Sequence, residues 1–176
     1  MNSTTTYQGF TLAELIVVIA ILAIIATYAM PYFENHRAEQ EANQVLKQLP
    51  ALIQYAKNEA VLRRMNIVIC SSENLTSCKN NEWNKYVIVF VDQNKNRQID
   101  SNDLILNVTE FNLKYANLNW KASLNSPVIV FSHQTGLPIG YNGSFYYCAT
   151  RENLNQRILL SKMGQVRNEP PNPCLT

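Results

Sequence analysis

The stretch 8–33 reads QGFTLAELIVVIAILAIIATYAMPYF, and it decides the architecture of the chain. The nineteen residues 15–33 carry no charge, and a helix of that length is about long enough to cross the hydrocarbon layer of a membrane. Glu14 stands directly before this run. A carboxylate at the centre of such a helix costs roughly 2.5–3.5 kcal/mol on insertion scales, and less near an end. Glu14 is therefore predicted to be a functional residue with a partner.

The rest of the chain does not resemble a membrane protein, because no second apolar run of that length follows. About 140 residues remain, enough for one modest core. A secretory signal peptide would begin with a basic region and end in small residues. Here the leader MNSTTTYQG (1–9) has no Lys or Arg, and the apolar run ends in YAMPYF (28–33). A plain N-terminal anchor remains an alternative, although it does not account for Glu14.

Residues 9–26, GFTLAELIVVIAILAIIA, resemble the N-terminal signature of type IV pilins and type II secretion pseudopilins. The resemblance implies that a prepilin peptidase cleaves after Gly9 and methylates the new N-terminus, Phe10. It also implies that Glu14 is the fifth residue of the mature chain, the position of the family's glutamate. The leader has no basic residue, so the positive-inside rule does not set the orientation of the chain in the membrane. We expect that orientation to depend on the shortness of the leader and on the insertion machinery.

The chemistry of this segment agrees with the resemblance. Cleavage leaves an ammonium on Phe10 and a carboxylate on Glu14, about 6 Å apart along a helix that rises about 1.5 Å per residue. When the helix leaves the bilayer for a filament core, the amine of a neighbouring subunit can neutralise the carboxylate. A desolvated pair of opposite charges then sets the axial stagger between subunits.

The helix is predicted to continue beyond the membrane, because apolar residues recur at three- and four-residue spacing. The stripe consists of Val45, Leu49, Leu52, Ile53, Ala56 and Ala60. Pro31 and Pro50 each remove a backbone hydrogen bond and are expected to kink or interrupt the helix. Arg63 and Arg64 stand near its C-terminal end, where cations suit the macrodipole.

Short strand-like runs separated by Asn-, Ser- and Asp-rich turns follow residue 65. The predicted strands are 66–70, 85–91, 103–108, 127–131, 143–149 and 156–161. The apolar blocks VIVFV and VIVF predict strands covered on both faces, one of them by the helix. The fold class is therefore α+β: a long N-terminal helical spine, transmembrane in its first half, followed by an antiparallel β-sheet head. The predicted organisation is leader 1–9, transmembrane and polymerisation helix 10–33, amphipathic helix 34–64, and β-sheet head 65–176 with an irregular, disulfide-pinned tail, NEPPNPCLT.

Four cysteines allow three disulfide pairings, and an exported head would lie in an oxidising compartment where disulfides persist. Cys70–Cys78 would close a short loop, and Cys148–Cys174 would pin the Pro-rich tail to a strand. We favour this pairing. A zinc site is the competing interpretation, which the Cys-x₇-Cys spacing and the presence of only two histidines fit poorly.

The head carries a finer resemblance. The block NEAVLRRMNIVICSSENLTSC (58–78), the pattern W-x₂-Y-x₃-F-x-D that begins at Trp83, and SKMGQVR (161–167) are similar to the FimT/GspH group of minor pilins and minor pseudopilins. The resemblance implies a head made of a helix and two sheets. Some FimT-type members bind DNA during natural transformation through a C-terminal Gly-Arg-x-Arg motif.

The matching segment here is Gly164-Gln165-Val166-Arg167, with Lys162 just before it. These residues, Lys162, Gly164, Gln165 and Arg167, are the candidate DNA contacts. Gln165 stands where the motif has its first arginine, and a glutamine offers only neutral hydrogen bonds to a phosphate.

Charge is unevenly distributed along the chain. Residues 1–110 hold nine Lys and Arg and eleven Asp and Glu, a net charge of −2. Residues 111–176 hold six Lys and Arg and two Asp and Glu, a net charge of +4. A basic face with Tyr141, Tyr146 or Tyr147 nearby could hold a polyanion in a salt-dependent way. The alternative is a solvated β-surface whose lysines protect its edges.

The loop DQNKNRQIDSND (92–103) has oxygen-bearing side chains at positions 1, 3, 5, 9 and 12 of an EF-hand-like loop. Its sixth residue is Arg97 rather than glycine, and its twelfth is Asp103 rather than glutamate. Because Asn and Asp also favour tight turns for backbone reasons, we interpret the loop as a turn. His36 and His133 have no evident Ser or Cys partner, so neither an enzyme nor a cofactor is expected.

The sequence as a whole predicts a minor type IV pilin that supports pilus assembly, with its place at the tip. The expected partners are other major and minor pilins, the prepilin peptidase, the inner-membrane assembly platform and, in one alternative, DNA. The expected location is a single-pass inner-membrane protein with a periplasmic head, and then the pilus at the cell surface. Two alternatives stay open: a DNA-binding minor pilin of natural transformation, and a minor pseudopilin of a type II secretion system.

Overall fold

The computed structural model describes residues 11–140, 142–169 and 174. The chain divides into two compact units, Met1–Arg37 and Ala38–Thr176. Among these residues, one α-helix, α1 (Leu12–Arg63), is followed by eight strands and a short 3₁₀ helix (Glu152–Leu154). The predicted α+β class, a long helix followed by an antiparallel β-sheet head, is confirmed.

The first unit contains the beginning of α1. The hydroxyl of Thr11 accepts the backbone N–H of Glu14 at 3.3 Å, which satisfies one of the donors that every helix start leaves free. Within the described part of the chain, α1 is the one helix long and apolar enough to cross a membrane.

The helix runs through both prolines without interruption, so the interruption that the sequence allowed at Pro31 and Pro50 does not occur. A proline forfeits its own backbone hydrogen bond, but the neighbouring residues keep theirs. At Pro50 the adjacent Leu49 and nearby Ile53 are fully buried. Their packing stabilises the helical turn on both sides of the missing bond.

The second unit contains two antiparallel sheets of four strands each. The first sheet has the order β3-β2-β1-β5, made of β1 (Ile67–Ser72), β2 (Tyr86–Val91), β3 (Leu104–Glu110) and β5 (Ile129–Phe131). The second has the order β4-β6-β7-β8, made of β4 (Ala116–Ala122), β6 (Gly143–Ala149), β7 (Gln156–Leu160) and β8 (Val166–Glu169).

Each of the six predicted strands overlaps an observed one, and β4 and β8 were not predicted. The tail was expected to be irregular from residue 168, but residues 168 and 169 belong to β8. Within the tail, the segments 170–173 and 175–176 lie outside the described residues.

The main core is shared by α1 and both sheets. The predicted helical stripe is buried, and Val87, Val89 and Val91 of β2 face it. Ile88 and Phe90 lie in a second cluster on the opposite face of the same strand, so β2 is covered on both faces, as its continuous apolar run predicted. All buried hydrophobic side chains among the described residues belong to residue 38 or later. Residues 38–176 therefore carry the whole described core and both disulfides, which is what a separately folding head requires.

Candidate functional site

The processing and polymerisation residues lie at the N-terminus. Gly9 and Phe10 are outside the described residues, and Glu14 stands in the first turn of α1 with an exposed side chain. The residues after it are exposed although they are apolar: Ile16, Ile19 and Leu22 keep 56%, 57% and 59% of their surface. An apolar surface of this extent favours burial in lipid or against other helices.

A cation packs on the last aromatic residue of the apolar run. The guanidinium of Arg37 lies 4.7 Å from the ring centroid of Phe33, within the range of a cation–π contact. The uncharged run 15–33 is followed directly by Glu34, and Arg37 comes three residues later.

The candidate DNA contacts lie on the β7–β8 turn. Gly164 has φ +69°, the left-handed region that favours glycine. Ser161 closes the turn, because its backbone N–H donates to the carbonyl of Gln165 at 2.9 Å. Arg167 donates to the side-chain oxygen of Gln165 at 3.2 Å. Lys162, Gln165 and Arg167 are all exposed, so the structure brings these candidates together on one exposed turn and the strand after it.

A cation that the sequence did not assign to this turn comes from α1. A methyl group on Gly164 would stand 3.4 Å from Nζ of Lys57 and 3.4 Å from Cδ of Pro138. The amphipathic pattern placed Lys57 off the apolar stripe but did not indicate what it approaches. No signal within the turn itself could have identified it, because the two segments are more than one hundred residues apart.

The outer face of the second sheet carries two further cations. Lys121 Nζ and the Arg157 guanidinium lie 5.8 and 5.6 Å from the ring centroid of Tyr146. Arg157 also pairs with Glu169 at 3.0 Å. Because β7 pairs with β8 through Leu159 and Arg167, the exposed side chain of Arg167 shares this face. We call Lys121, Tyr146, Arg157 and Arg167 the cationic face.

Another candidate tyrosine, Tyr147, does not contribute to the cationic face. Tyr147 is fully buried on the opposite side of the sheet, where its hydroxyl donates to Glu41 at 3.1 Å. Burial, with the nearby Glu41 carboxylate, raises the pKa of Tyr147 well above its usual value. Tyr141 lies outside the described residues.

The 92–103 loop uses its carboxylates internally. Buried Asp92 accepts the backbone N–H groups of Asn96 and Arg97, each at 3.1 Å. Asp103 accepts the N–H of Gln93 at 3.1 Å. Burial raises the pKa of Asp92, although these hydrogen bonds lower it in part. The described residues contain no group of three or more His, Cys, Asp or Glu that could hold a metal ion. These contacts favour the turn interpretation over a calcium site.

Both disulfides join the pairs that the sequence favoured. Cys70 is bonded to Cys78, and Cys148 is bonded to Cys174. The first closes the loop after β1, and the second ties residue 174 of the tail to β6.

Comparison with known proteins agrees with these features. Residues 46–164 match the family described as type II transport protein GspH, and residues 5–30 match the prokaryotic N-terminal methylation motif. The fold is similar to the crystal structure of the type IV minor pilin FimU of Pseudomonas aeruginosa PAO1. The TM-score is 0.54, with 21% identity, over 80% of this chain and 93% of that one.

Two curated relatives match the chain over a shorter part. The fimbrial protein EcpB of Eikenella corrodens is 45% identical over 42 residues, which are 24% of this chain. A fimbrial protein of Pseudomonas aeruginosa is 34% identical over 61 residues, or 35% of this chain. The matches cover only 26% and 39% of the length of these relatives. The GspH match itself spans more than half of the chain, which therefore belongs to the GspH family and has the fold of the type IV minor pilins.

Proposed function

We propose that the chain is a minor type IV pilin, cleaved after Gly9 and incorporated near the pilus tip, where it supports assembly. One observation carries the proposal: the apolar surface of α1 before residue 34 is uncovered, and it carries Glu14 at its start. The head meanwhile has its own core. The uncovered apolar surface has to be buried against other molecules. These are lipids while the chain is in the membrane, and the helices of other subunits once it is in the filament. Its role is structural rather than catalytic.

In this proposal, Glu14 makes the filament more favourable than the membrane as the environment of the apolar helix. In the bilayer its carboxylate is near the edge of the apolar layer and costs free energy. In the filament the N-methylated amine of a neighbour's Phe10 neutralises it. The partners that this route requires are other pilins, the prepilin peptidase and the inner-membrane platform.

The head is periplasmic before assembly in this proposal. The two disulfides support it, because such bonds persist in oxidising compartments. The pilus would then carry the head to the cell surface.

Glu14→Val tests the polymerisation step. The variant should enter the membrane at least as well as the unaltered chain, because it removes a charge from the apolar segment. Its amount in sheared pili should fall severalfold, because the neutralising pair is lost. Glu34→Val, which removes another exposed carboxylate of the same helix, is the matched control and should incorporate normally. Equal incorporation of Glu14→Val and Glu34→Val would refute the pairing.

A pseudopilin of a type II secretion system is the nearest alternative, and the family description GspH favours it. Deletion of the gene separates the two. Loss of surface pili supports the pilin, whereas intact pili with impaired protein secretion support the pseudopilin.

DNA binding during natural transformation is a second candidate function. The cationic face and the neighbouring turn favour it, because Lys57, Lys162 and Arg167 compensate in part for the missing motif arginine at Gln165. Phosphate contacts of this kind are salt-dependent and insensitive to sequence.

Gel shifts of duplex DNA with the head, residues 38–176, at low and physiological salt test this function. We expect weak binding that Arg167→Ala reduces and Gln165→Arg strengthens, since the latter restores a bidentate charged donor. Lys79→Ala, which removes an exposed lysine directly after the disulfide loop, should leave binding unchanged. Tight binding that is indifferent to Arg167→Ala would exclude this surface.

A further inference from the structure

A cavity of about 490 Å³ opens at the end of β4, and this volume is typical of sites for small molecules. Two segments of the head wall it: the chain that follows the Cys70–Cys78 disulfide, and the turn between β4 and β5. We call the cavity the amide pocket; its lining includes Asn80, Asn81, Trp83, Trp120, Asn125 and Ser126. All four candidate DNA contacts lie outside this lining.

The floor of the amide pocket is aromatic and fixed. Trp83 and Trp120 keep only 1% and 6% of their surface. Both rings pack against Phe145, with ring centroids 4.9 and 4.6 Å apart. The indole N–H of Trp120 also donates to the backbone carbonyl of Ser126 at 3.1 Å. A floor held in this way needs no rearrangement to receive a ligand, which lowers the cost of binding.

The rim of the pocket carries three amides that are open to a ligand. Asn80, Asn81 and Asn125 are exposed, and their side chains make no hydrogen bond to another described residue. Asn81 on one wall has φ +65°, and Asn125 on the other has φ +51°, a conformation that asparagine tolerates better than most residues. Since each side-chain amide both donates and accepts, the rim offers a ligand both kinds of hydrogen bond.

The charge of the pocket limits the class of ligand. Of the described residues that line it, Lys121 alone is ionisable. The Lys121 ammonium lies 5.8 Å from the ring centroid of Tyr146, on the outer face of the sheet. An anion therefore gains little in the pocket, and a metal ion meets no carboxylate there. A purely apolar ligand would bury the amides without partners, which costs free energy.

The backbone of β4 argues against an extended peptide. Ser123, directly after this edge strand, donates its N–H toward β6 at 2.9 Å, so the backbone groups of Leu118, Trp120 and Ala122 point to the free edge. The N–H of Leu118 is already bonded to Asn84 at 2.6 Å, and the carbonyl of Ala122 accepts an N–H of the next turn at 3.2 Å. A peptide that adds a strand needs a longer row of open groups.

We propose that the amide pocket binds a neutral saccharide of one or two rings. Sugar hydroxyls donate and accept, as do the three amides and the backbone of Trp120. The apolar face of a sugar ring packs against the indole edges and Pro127, which also lines the pocket. The site lies wholly within the head, so the proposal does not depend on assembly into a filament.

Tryptophan fluorescence of residues 38–176 tests the proposal, because the chain has two tryptophans and both line the pocket. The probes are N,N′-diacetylchitobiose, lactose and maltose, and we expect at least one to bind saturably with a Kd on the order of 1 mM. Asn81→Gly and Asn125→Gly should each weaken that binding by about threefold or more, because glycine removes the amide but keeps the positive φ. Asn112→Gly is the matched control, since Asn112 is exposed, has φ +46° and lies outside the pocket; it should bind as the unaltered head does.

The indole N–H resonances of both tryptophans are followed by NMR in the same titrations, so that binding without a fluorescence change is also detected. Thermal unfolding midpoints equal to that of the unaltered head exclude misfolding of the glycine variants. No saturable change with any of the three disaccharides would overturn the proposal. Equal weakening by Asn112→Gly would do the same, because the effect would then not belong to the pocket. Tighter binding of trialanine or inorganic phosphate than of every disaccharide would assign the pocket to another class of ligand.

Discussion

Glu41 of α1 holds the second sheet to the helix, and its removal should destabilise the head. Its carboxylate accepts the backbone N–H of Lys114 at 2.8 Å and that of Tyr115 at 3.1 Å. It also accepts the hydroxyl of Tyr147 at 3.1 Å. Lys114 and Tyr115 precede β4, an edge strand whose first N–H groups have no neighbouring strand on that side.

The magnitude follows from what each donor meets after Glu41→Ala. The N–H groups of Lys114 and Tyr115 lie near the surface and can be hydrated, so their loss costs little beyond the net bond. The hydroxyl of Tyr147 belongs to a fully buried side chain, and an unsatisfied buried donor costs about 1–3 kcal/mol. Adding a charge-assisted bond of about 1.5 kcal/mol, we expect a loss of about 2.5–4.5 kcal/mol in the free energy of unfolding.

Urea unfolding of residues 38–176 with intact disulfides measures this loss. Tyr147→Phe, which removes one donor without leaving another unpaired, should cost about 1–2 kcal/mol. The double variant should be less destabilised than the sum of the two by about 1 kcal/mol, because they share a bond. Glu39→Ala, an exposed carboxylate on the same helix, should change stability by less than about 0.5 kcal/mol. Additive effects of Glu41→Ala and Tyr147→Phe would refute the shared contact.

Three further predictions concern processing, the tail and alkaline stability. Gly9→Val should leave uncleaved precursor in the membrane, and intact-mass spectrometry should find mature chains that begin at methylated Phe10 only when Gly9 is present. Cys148→Ser with Cys174→Ser should lower the free energy of unfolding by up to about 3.5 kcal/mol, from the chain entropy of a 26-residue separation; an unchanged urea midpoint would contradict this. Because the pKa of Tyr147 is raised by folding, its contribution to stability is complete below about pH 10 and is lost as the pH rises further. The Tyr147→Phe head should therefore lose less stability than the unaltered head between pH 9 and pH 11.

The helix and six strands could be predicted because each leaves a pattern within a few residues. A continuous apolar run identified β2, and three- and four-residue spacing identified the buried stripe of α1. Strand β4 had a usable signal too: Leu118 and Trp120 alternate with Asn119 and Lys121, a period of two. The asparagines of this segment also favour turns, and for that reason the sequence does not predict β4 as a strand.

Other features are not contained in any local pattern. Strand β8 has a single apolar residue, Val166, and its place follows from the hairpin with β7. The approach of Lys57 to Gly164 depends on packing a helix against a turn that comes much later in the chain. The same holds for Glu41, which the sequence shows only as one polar residue of an amphipathic helix. Tertiary partners of this kind require the fold.

In the proposed filament, the N-terminal helix and the head differ in what they can discriminate. The proposed pairing of Glu14 with a neighbour's N-terminal amine would need only a helix and a cleaved leader, so any subunit with the same segment would satisfy it equally well. A contact that is equal for all partners gives affinity without specificity, because specificity is a difference between affinities. The head, by contrast, carries exposed turn residues such as Leu124, Ile139 and Met163, which can change without disturbing the core. The order of subunits in the filament should therefore be decided at the heads, with the N-terminal helix supplying the common cohesion.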